Sequence, residues 1–351
     1  MNKQTRLLLS IGLPILLIIG VFGAYQWQHN ASSSAPSSST GGSSRPLTQV
    51  TVALDWTPNT NHTGIYVAQQ MNWYRDQGLN VKLLPYSANV TPDVLVSSGK
   101  ADIAISSTES IVADAAVGQP VVSLAAIIQH NTSALVTLAS SGLNRPRALD
   151  GKVYAGFGAP YENPVVSQII KHDGGKGQFK NVTLNVDAIQ ALESHRADFA
   201  WVFMGWEVIQ AERDGSKLNT FMLNENGIPD YYTPNIITSP NEIKQQPDLL
   251  RRFMAATAKG YEYARTHPDQ SAQMLLNGAK GAFPDPGLVL ASQRYLSPRY
   301  ADSGRKWGLQ DVAAWHNYPE FMLKNGGVQD ASGKTVQNLN LDALFTNQFL
   351  P

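Results

Sequence analysis

A carboxylate, an indole, an amide and an imidazole occur together at Asp55, Trp56, Asn59 and His62, inside the stretch TVALDWTPNTNHTGIYVA (Thr51–Ala68). Side chains of these types serve either acid–base chemistry or the recognition of a ligand's polar edges. The chain gives little else to a catalyst. It has no cysteine, no G-x-S-x-G elbow, no G-x-x-x-x-G-K-[S/T] phosphate loop and no H-E-x-x-H pair. Its 7 histidines are dispersed. His62 and His130 with Asp55 or Glu109 could form a metal site, and Ser106–Thr108 with His130 and Asp55 hold the ingredients of a triad. Hydrogen-bonding side chains lining a polar cleft explain the same residues more simply. We therefore expect no catalytic residues, no bound metal, no cofactor and no enzyme activity.

Three further sites repeat the pairing of aromatic ring and carboxylate, the first with an amide as well: Tyr161–Glu162–Asn163, Trp206–Glu207 and Asp230–Tyr231–Tyr232. Rings offer flat apolar faces, and the polar groups beside them read the donors and acceptors on the edge of a planar heterocycle. Thr108–Glu109 and Asn131 add polar groups just after predicted strands. The expected ligand-binding set is Asp55, Trp56, Asn59, His62, Thr108, Glu109, Asn131, Tyr161, Glu162, Trp206, Glu207, Tyr231 and Tyr232. Trp73, Tyr261 and Tyr263 fit helix packing instead.

These residues need strands that end at one edge. Val50, Val52 and Leu54 pattern a strand that breaks at Asp55–Asn59, and Gly64–Tyr74 reads as the helix that follows. An open α/β sheet presents residues to a ligand at such strand ends. Ile103–Ile105 runs into a hydroxyl-capped helix start at Ser106–Glu109, and Val121–Ile128 is apolar enough for a buried parallel strand. The pattern restarts at Lys152–Gly156, with strands at Val182–Val186 and Phe199–Phe203. From Ser239 onward it is helical, most clearly over Pro247–Arg265. Ser98–Asp102 (SGKAD) and Ser194–Asp198 (SHRAD) each lead into an apolar strand, a faint internal echo.

Composition sets the frame. The 351 residues carry formal net charge +0 and no basic run, so nothing points to nucleic acid. Lys3 and Arg6 precede the uncharged apolar run Leu7–Ala24, and Ala31–Pro46 is a Ser/Gly/Pro linker. This predicts an N-terminal signal or anchor helix (1–28) and a linker (29–46). The rest would lie on the extracytoplasmic face of the membrane, tethered by that helix or secreted after its cleavage.

Five segments carry a family likeness: LDWTPNTNHTGIYVA (Leu54–Ala68), SGKADIAIS (Ser98–Ser106), GFGAPYENPVV (Gly156–Val166), ADFAWVFMGWEVIQAE (Ala197–Glu212) and PDYYTPNIIT (Pro229–Thr238). Together they resemble the thiamine-pyrimidine-precursor-binding family, the NMT1/THI5-like group of ABC-transporter solute-binding proteins. The resemblance implies an α/β, two-lobe periplasmic-binding-protein-like fold of type II with the ligand in the interlobe cleft. Lobe 1 would be 47–138 plus 238–351, and lobe 2 would be 139–237. By motif, Asp55, Trp56, Asn59, Tyr161, Glu162, Trp206, Glu207 and Tyr232 would line the pocket. The implied partners are a small planar heterocycle and the permease and ATPase subunits of an ABC importer. Gln129–Ser133 and Trp201–Glu207 look like the riboflavin-binding branch, so riboflavin is the first expectation for the ligand. A pyrimidine precursor of thiamine, of the hydroxymethylpyrimidine or formylaminopyrimidine type, is the alternative. A pyrimidine-making enzyme of the same superfamily is the other, although the cysteine-rich iron motif of the eukaryotic enzymes is absent.

Overall fold

The computed structural model describes residues 46–87, 89–183 and 187–351. The expected anchor helix (1–28) and nearly all of the linker (29–46) lie outside the described residues. Among the described residues no helix is long and apolar enough to cross a membrane.

Two five-stranded sheets organise these residues. The first contains β1 (Thr48–Ala53), β2 (Leu79–Leu84), β3 (Ile103–Ser106) and β4 (Val122–Ala126). The second contains β5 (Ser133–Leu138), β6 (Val153–Gly156), β7 (Lys180–Thr183), β8 (Phe199–Phe203) and β9 (Leu218–Met222). The last strand, β10 (Asn235–Thr238), returns to the first sheet. The orders are β2-β1-β3-β10-β4 and β7-β6-β8-β5-β9. Within each, one strand runs against its neighbours: β10 is antiparallel to β3 and β4, and β5 is antiparallel to β8 and β9. These two strands are the ones on which the chain arrives from the other lobe. This is the two-lobe α/β fold expected.

The chain crosses twice between the sheets. The chain leaves the first sheet after β4 and re-enters it at β10. The expected lobe boundaries, at 138/139 and 237/238, fall at the far end of β5 and inside β10, one residue before its end. Strand pairing is non-local, and hydrophobic pattern alone does not say which sheet a strand joins. For the same reason the apolar run containing β4 has an antiparallel neighbour in place of a parallel one.

The internal echo is a structural equivalence. Asp102 accepts the Thr51 N–H at 2.6 Å and donates its own N–H to the Thr51 carbonyl. Asp198 does both with Val153, the side-chain bond being 2.8 Å. Gly99 and His195 sit at matching positions with φ of 70° and 54°. A left-handed residue is needed there to end the helix before the strand, and His195 adopts it at some steric cost.

Lobe 1 is closed by the C-terminal helices. The helix after β1 is two pieces, Thr63–Gln70 and Trp73–Asp76, because Asn72 takes φ 58° between them; the expected single helix Gly64–Tyr74 is broken there. Helix Pro247–Thr266 buries Leu250, Phe253, Met254, Thr257 and Tyr261 on one face. It crosses the Thr63 helix so closely that a Cβ on Gly260 would lie 2.0 Å from the Gly64 carbonyl oxygen. The end of the chain covers the open edge of β4, with Ser123 exchanging backbone hydrogen bonds with Leu344 and Thr346.

Candidate ligand-binding cleft

At the end of β1 the polar residues are tied to one another. Asn59 caps the turn Thr60–His62 by accepting the Asn61 N–H at 2.9 Å. His62 Nδ1 accepts the Asn59 N–H at 3.2 Å, which leaves the ring proton on Nε2 to donate to Asp55 Oδ1 at 2.8 Å. Both nitrogens of this buried imidazole are therefore committed. His130, its supposed metal partner, instead stands between Asp230 and Asp302. Among the described residues no cluster of three or more side chains is arranged to hold a metal. Trp56 remains 49% exposed and leans on Tyr86 at 4.8 Å.

At the end of β3, Ser107 caps helix Thr108–Ala116, and Thr108 donates its hydroxyl to the Tyr232 carbonyl at 2.6 Å. Glu109 is 5% exposed. Its Oε1 accepts the hydroxyls of Tyr231 at 2.6 Å and Tyr318 at 3.2 Å, and these two rings stack at 3.6 Å. Its Oε2 is buried and unpartnered. Burial raises the Glu109 carboxyl above the usual range, opposed by the tyrosine hydrogen bonds. Tyr161 approaches from lobe 2, edge-on to Trp201 at 6.2 Å. Its phenol is pushed well up by burial and by the Glu109 and Glu162 carboxylates. The neighbouring Asp230 accepts the Asn131 N–H at 2.9 Å. Asn131 Oδ1 is used by Ser133, while its Nδ2 is buried without a partner.

Several expected ligand contacts are turned to other work. Glu162 folds back on the loop before it, accepting the N–H groups of Phe157, Gly158 and Ala159 and the Tyr154 hydroxyl. That saturates the carboxylate, and it braces the glycine loop. Glu207 accepts the Phe203 N–H at 3.0 Å, and burial pushes its carboxyl up to about 6. Tyr232 points at Asp311, whose N–H it accepts at 2.9 Å.

Trp206 lies on a π-helical turn, Met204–Val208, and packs with Phe283 and Leu276 among lobe 1 helices. Beside it, Gly205 approaches Leu296 so closely that a Cβ would be 2.8 Å away. The Gly205 carbonyl accepts the Ser292 hydroxyl, to which Thr60 in turn donates. The lobes meet here around a void of about 20 Å³ bounded by Asn59–Asn61, Phe203, Trp206 and Thr233.

The structure thus brings Glu109, Tyr161 and Tyr231 together, with Asn131 joined through Asp230. It gathers Asp55, Asn59 and His62 into a second, self-satisfied group. Sequence reasoning missed Tyr318, which lies on helix Val312–Lys324 with no local signal. It also missed Asp93, buried beside Ser106 and facing Asp114.

A sequence model of the family described as NMT1/THI5 like matches residues 59–271. A formylaminopyrimidine-binding protein of Halalkalibacterium halodurans is 26% identical over 273 residues, 77% of this chain and 83% of that protein. A 4-amino-5-hydroxymethyl-2-methylpyrimidine phosphate synthase of Legionella pneumophila is 24% identical, covering 65% of this chain and 72% of that one. In fold, the chain is similar to the periplasmic aliphatic sulphonate binding protein SsuA of Escherichia coli. That match has a TM-score of 0.62 at 13% identity, over 82% of this chain and 90% of that one. The fold is that of a periplasmic solute-binding protein. The names of the two sequence relatives point to pyrimidines, and so favour the alternative over the first expectation of riboflavin.

Proposed function

We propose a function for a chain that belongs to the NMT1/THI5-like family: it is the solute-binding component of an ABC importer, and it captures a thiamine pyrimidine precursor of the formylaminopyrimidine type. The observation that carries this reading is Glu109, a buried carboxyl with one oxygen unpartnered, beside the stacked rings of Tyr231 and Tyr318. A planar aminopyrimidine has the matching features, a flat face and a polar edge of amino and ring nitrogens. Buried polar groups left unpaired reject molecules without that edge. Tyr161 would cover the ligand from lobe 2, and hinge closure would exclude water.

We read the chain as a binding protein, although relatives include named synthases. Both nitrogens of His62 are spent on Asp55 and Asn59, so the imidazole has no free atom for a substrate. We also assign Lys3, Arg6 and Leu7–Ala24 to a membrane tether that holds the cleft outside the cell.

Titration of the purified full-length chain with formylaminopyrimidine, hydroxymethylpyrimidine and riboflavin, followed by fluorescence and native mass spectrometry, tests the reading. Binding of a pyrimidine, without chemical change and in preference to riboflavin, is expected. Failure of both pyrimidines to bind at micromolar concentration, or their turnover, would refute it.

A further inference from the structure

Glu109 is packed by three elements besides its own helix, and each presents a tyrosine. Tyr231 comes from the second crossover, Tyr318 from helix Val312–Lys324, and Tyr161, with Glu162 behind it, from lobe 2. Among the described residues no arginine, lysine or histidine pairs with this carboxyl, and the polar groups facing it are phenols, the Ser107 hydroxyl and its own backbone N–H. A buried carboxylate without a counter-ion is costly. The two oxygens are also unequal. Oε1 accepts two hydroxyl protons, which fills both lone pairs of a carbonyl oxygen. Oε2 has no partner.

We propose that Glu109 meets its ligand as a neutral acid, with Oε1 as the carbonyl oxygen fixed by Tyr231 and Tyr318, and Oε2 as a hydroxyl that donates to a bare ring nitrogen of the heterocycle. The inference rests on the aminopyrimidine reading for the identity of the acceptor, and on the tyrosine geometry alone for the position of the proton. It makes Glu109 a specificity-determining residue. Heterocycles with an unprotonated ring nitrogen at that position are taken. Their counterparts carrying an N–H there, as in the oxo-pyrimidines, are refused because two donors would meet.

The consequence for pH follows from the sign of the shift. Burial raises the Glu109 carboxyl, so the neutral form persists above the usual carboxylate range. The donor is present below that raised value and is lost as pH rises through it.

Affinity for formylaminopyrimidine is to be measured from acid to alkaline pH for the wild type, Glu109→Gln and Glu109→Ala. The wild type should bind with constant affinity at low pH and lose about tenfold per pH unit once the carboxyl ionises. Glu109→Gln keeps a carbonyl for the tyrosines and an N–H for the ring nitrogen. It should bind within a few-fold of the low-pH wild type and show no such decline. Glu109→Ala should be weaker by roughly tenfold to a hundredfold throughout. A wild type that tightens as pH rises, or a glutamine variant as weak as alanine, overturns the proposal.

A second measurement needs no ligand. In carbon-labelled glutamate NMR of the full chain, the resonance missing from Glu109→Gln should titrate above the usual carboxylate range. One that titrates within or below that range overturns the assignment. If the pyrimidines do not bind at all, the transport reading fails while this titration still decides the position of the proton.

Discussion

His62 Nε2 lies 2.8 Å from Asp55 Oδ1 across the turn that begins the cleft edge of lobe 1. With Nδ1 on the Asn59 N–H, the imidazole is a buried strut that holds the loop Asp55–Asn59 against the helix after it. Replacing His62 by alanine removes both bonds and leaves a cavity. It should cost about 3 kcal/mol of stability in urea unfolding. A loss below about 1 kcal/mol would return His62 to the list of groups free for a ligand.

The crossing of the Thr63 and Pro247 helices leaves no space for a side chain at Gly260. A Cβ would meet the Gly64 carbonyl oxygen at 2.0 Å, and backbone cannot swing aside as a side chain can. Gly260→Ala should destabilise the chain by about 3 kcal/mol, the upper range for overpacking. The denaturant midpoint should fall with little change in slope.

Asp93 and Asp114 share a pocket between helices Pro92–Ser97 and Thr108–Ala116. Burial raises Asp93, against its bond from the Ser106 hydroxyl. Burial, reinforced by Asp93, pushes Asp114 up to about 8. Both folded-state values lie above the unfolded ones, so the folded chain holds protons that the unfolded chain releases. Stability should be highest in acid and decline as pH rises from the ordinary carboxylate range towards about 8. Asp114→Asn should flatten that decline. A wild-type urea midpoint that stays level across this window would contradict it.

Trp206 crosses from lobe 2 to pack with Phe283, and Gly205 beside it touches Leu296. Trp206→Ala should weaken ligand binding by about tenfold through a less favourable closed form, without changing contacts to the ligand itself. Small-angle scattering should show a larger mean radius for the variant in the presence of ligand. An unchanged affinity would mean that this contact does not contribute to closure.

Local features were legible where chemistry and position coincide within a few residues. The strand, polar loop and helix of Val50–Ala68 stand where the sequence pattern puts them, and the SGKAD and SHRAD turns prove equivalent down to the aspartate bonds. Features made by distant partners were not legible. Nothing near Tyr318 indicates that it stacks on Tyr231, and β5 and β10 look like any apolar strand. Glu162 illustrates the limit: its neighbours advertise a binding loop, while its carboxylate is consumed by the loop's own N–H groups. Trp206 reads from the sequence as a ligand-lining ring, and the lobe 1 residues it packs with, Leu276 and Phe283, are more than sixty residues later.

The exchange of β5 and β10 also sets the order in which the chain can be completed during synthesis. All strands of the second sheet lie between Ser133 and Met222, so that lobe has its full complement while the remaining residues are still being added. The first sheet begins earlier yet stays divided, with β4 parted from β3, until β10 at Asn235–Thr238 has emerged to fill the gap. The lobe whose strands are made first is therefore the lobe whose sheet is finished last. A chain ending after β9 would carry one whole sheet and one in two pieces.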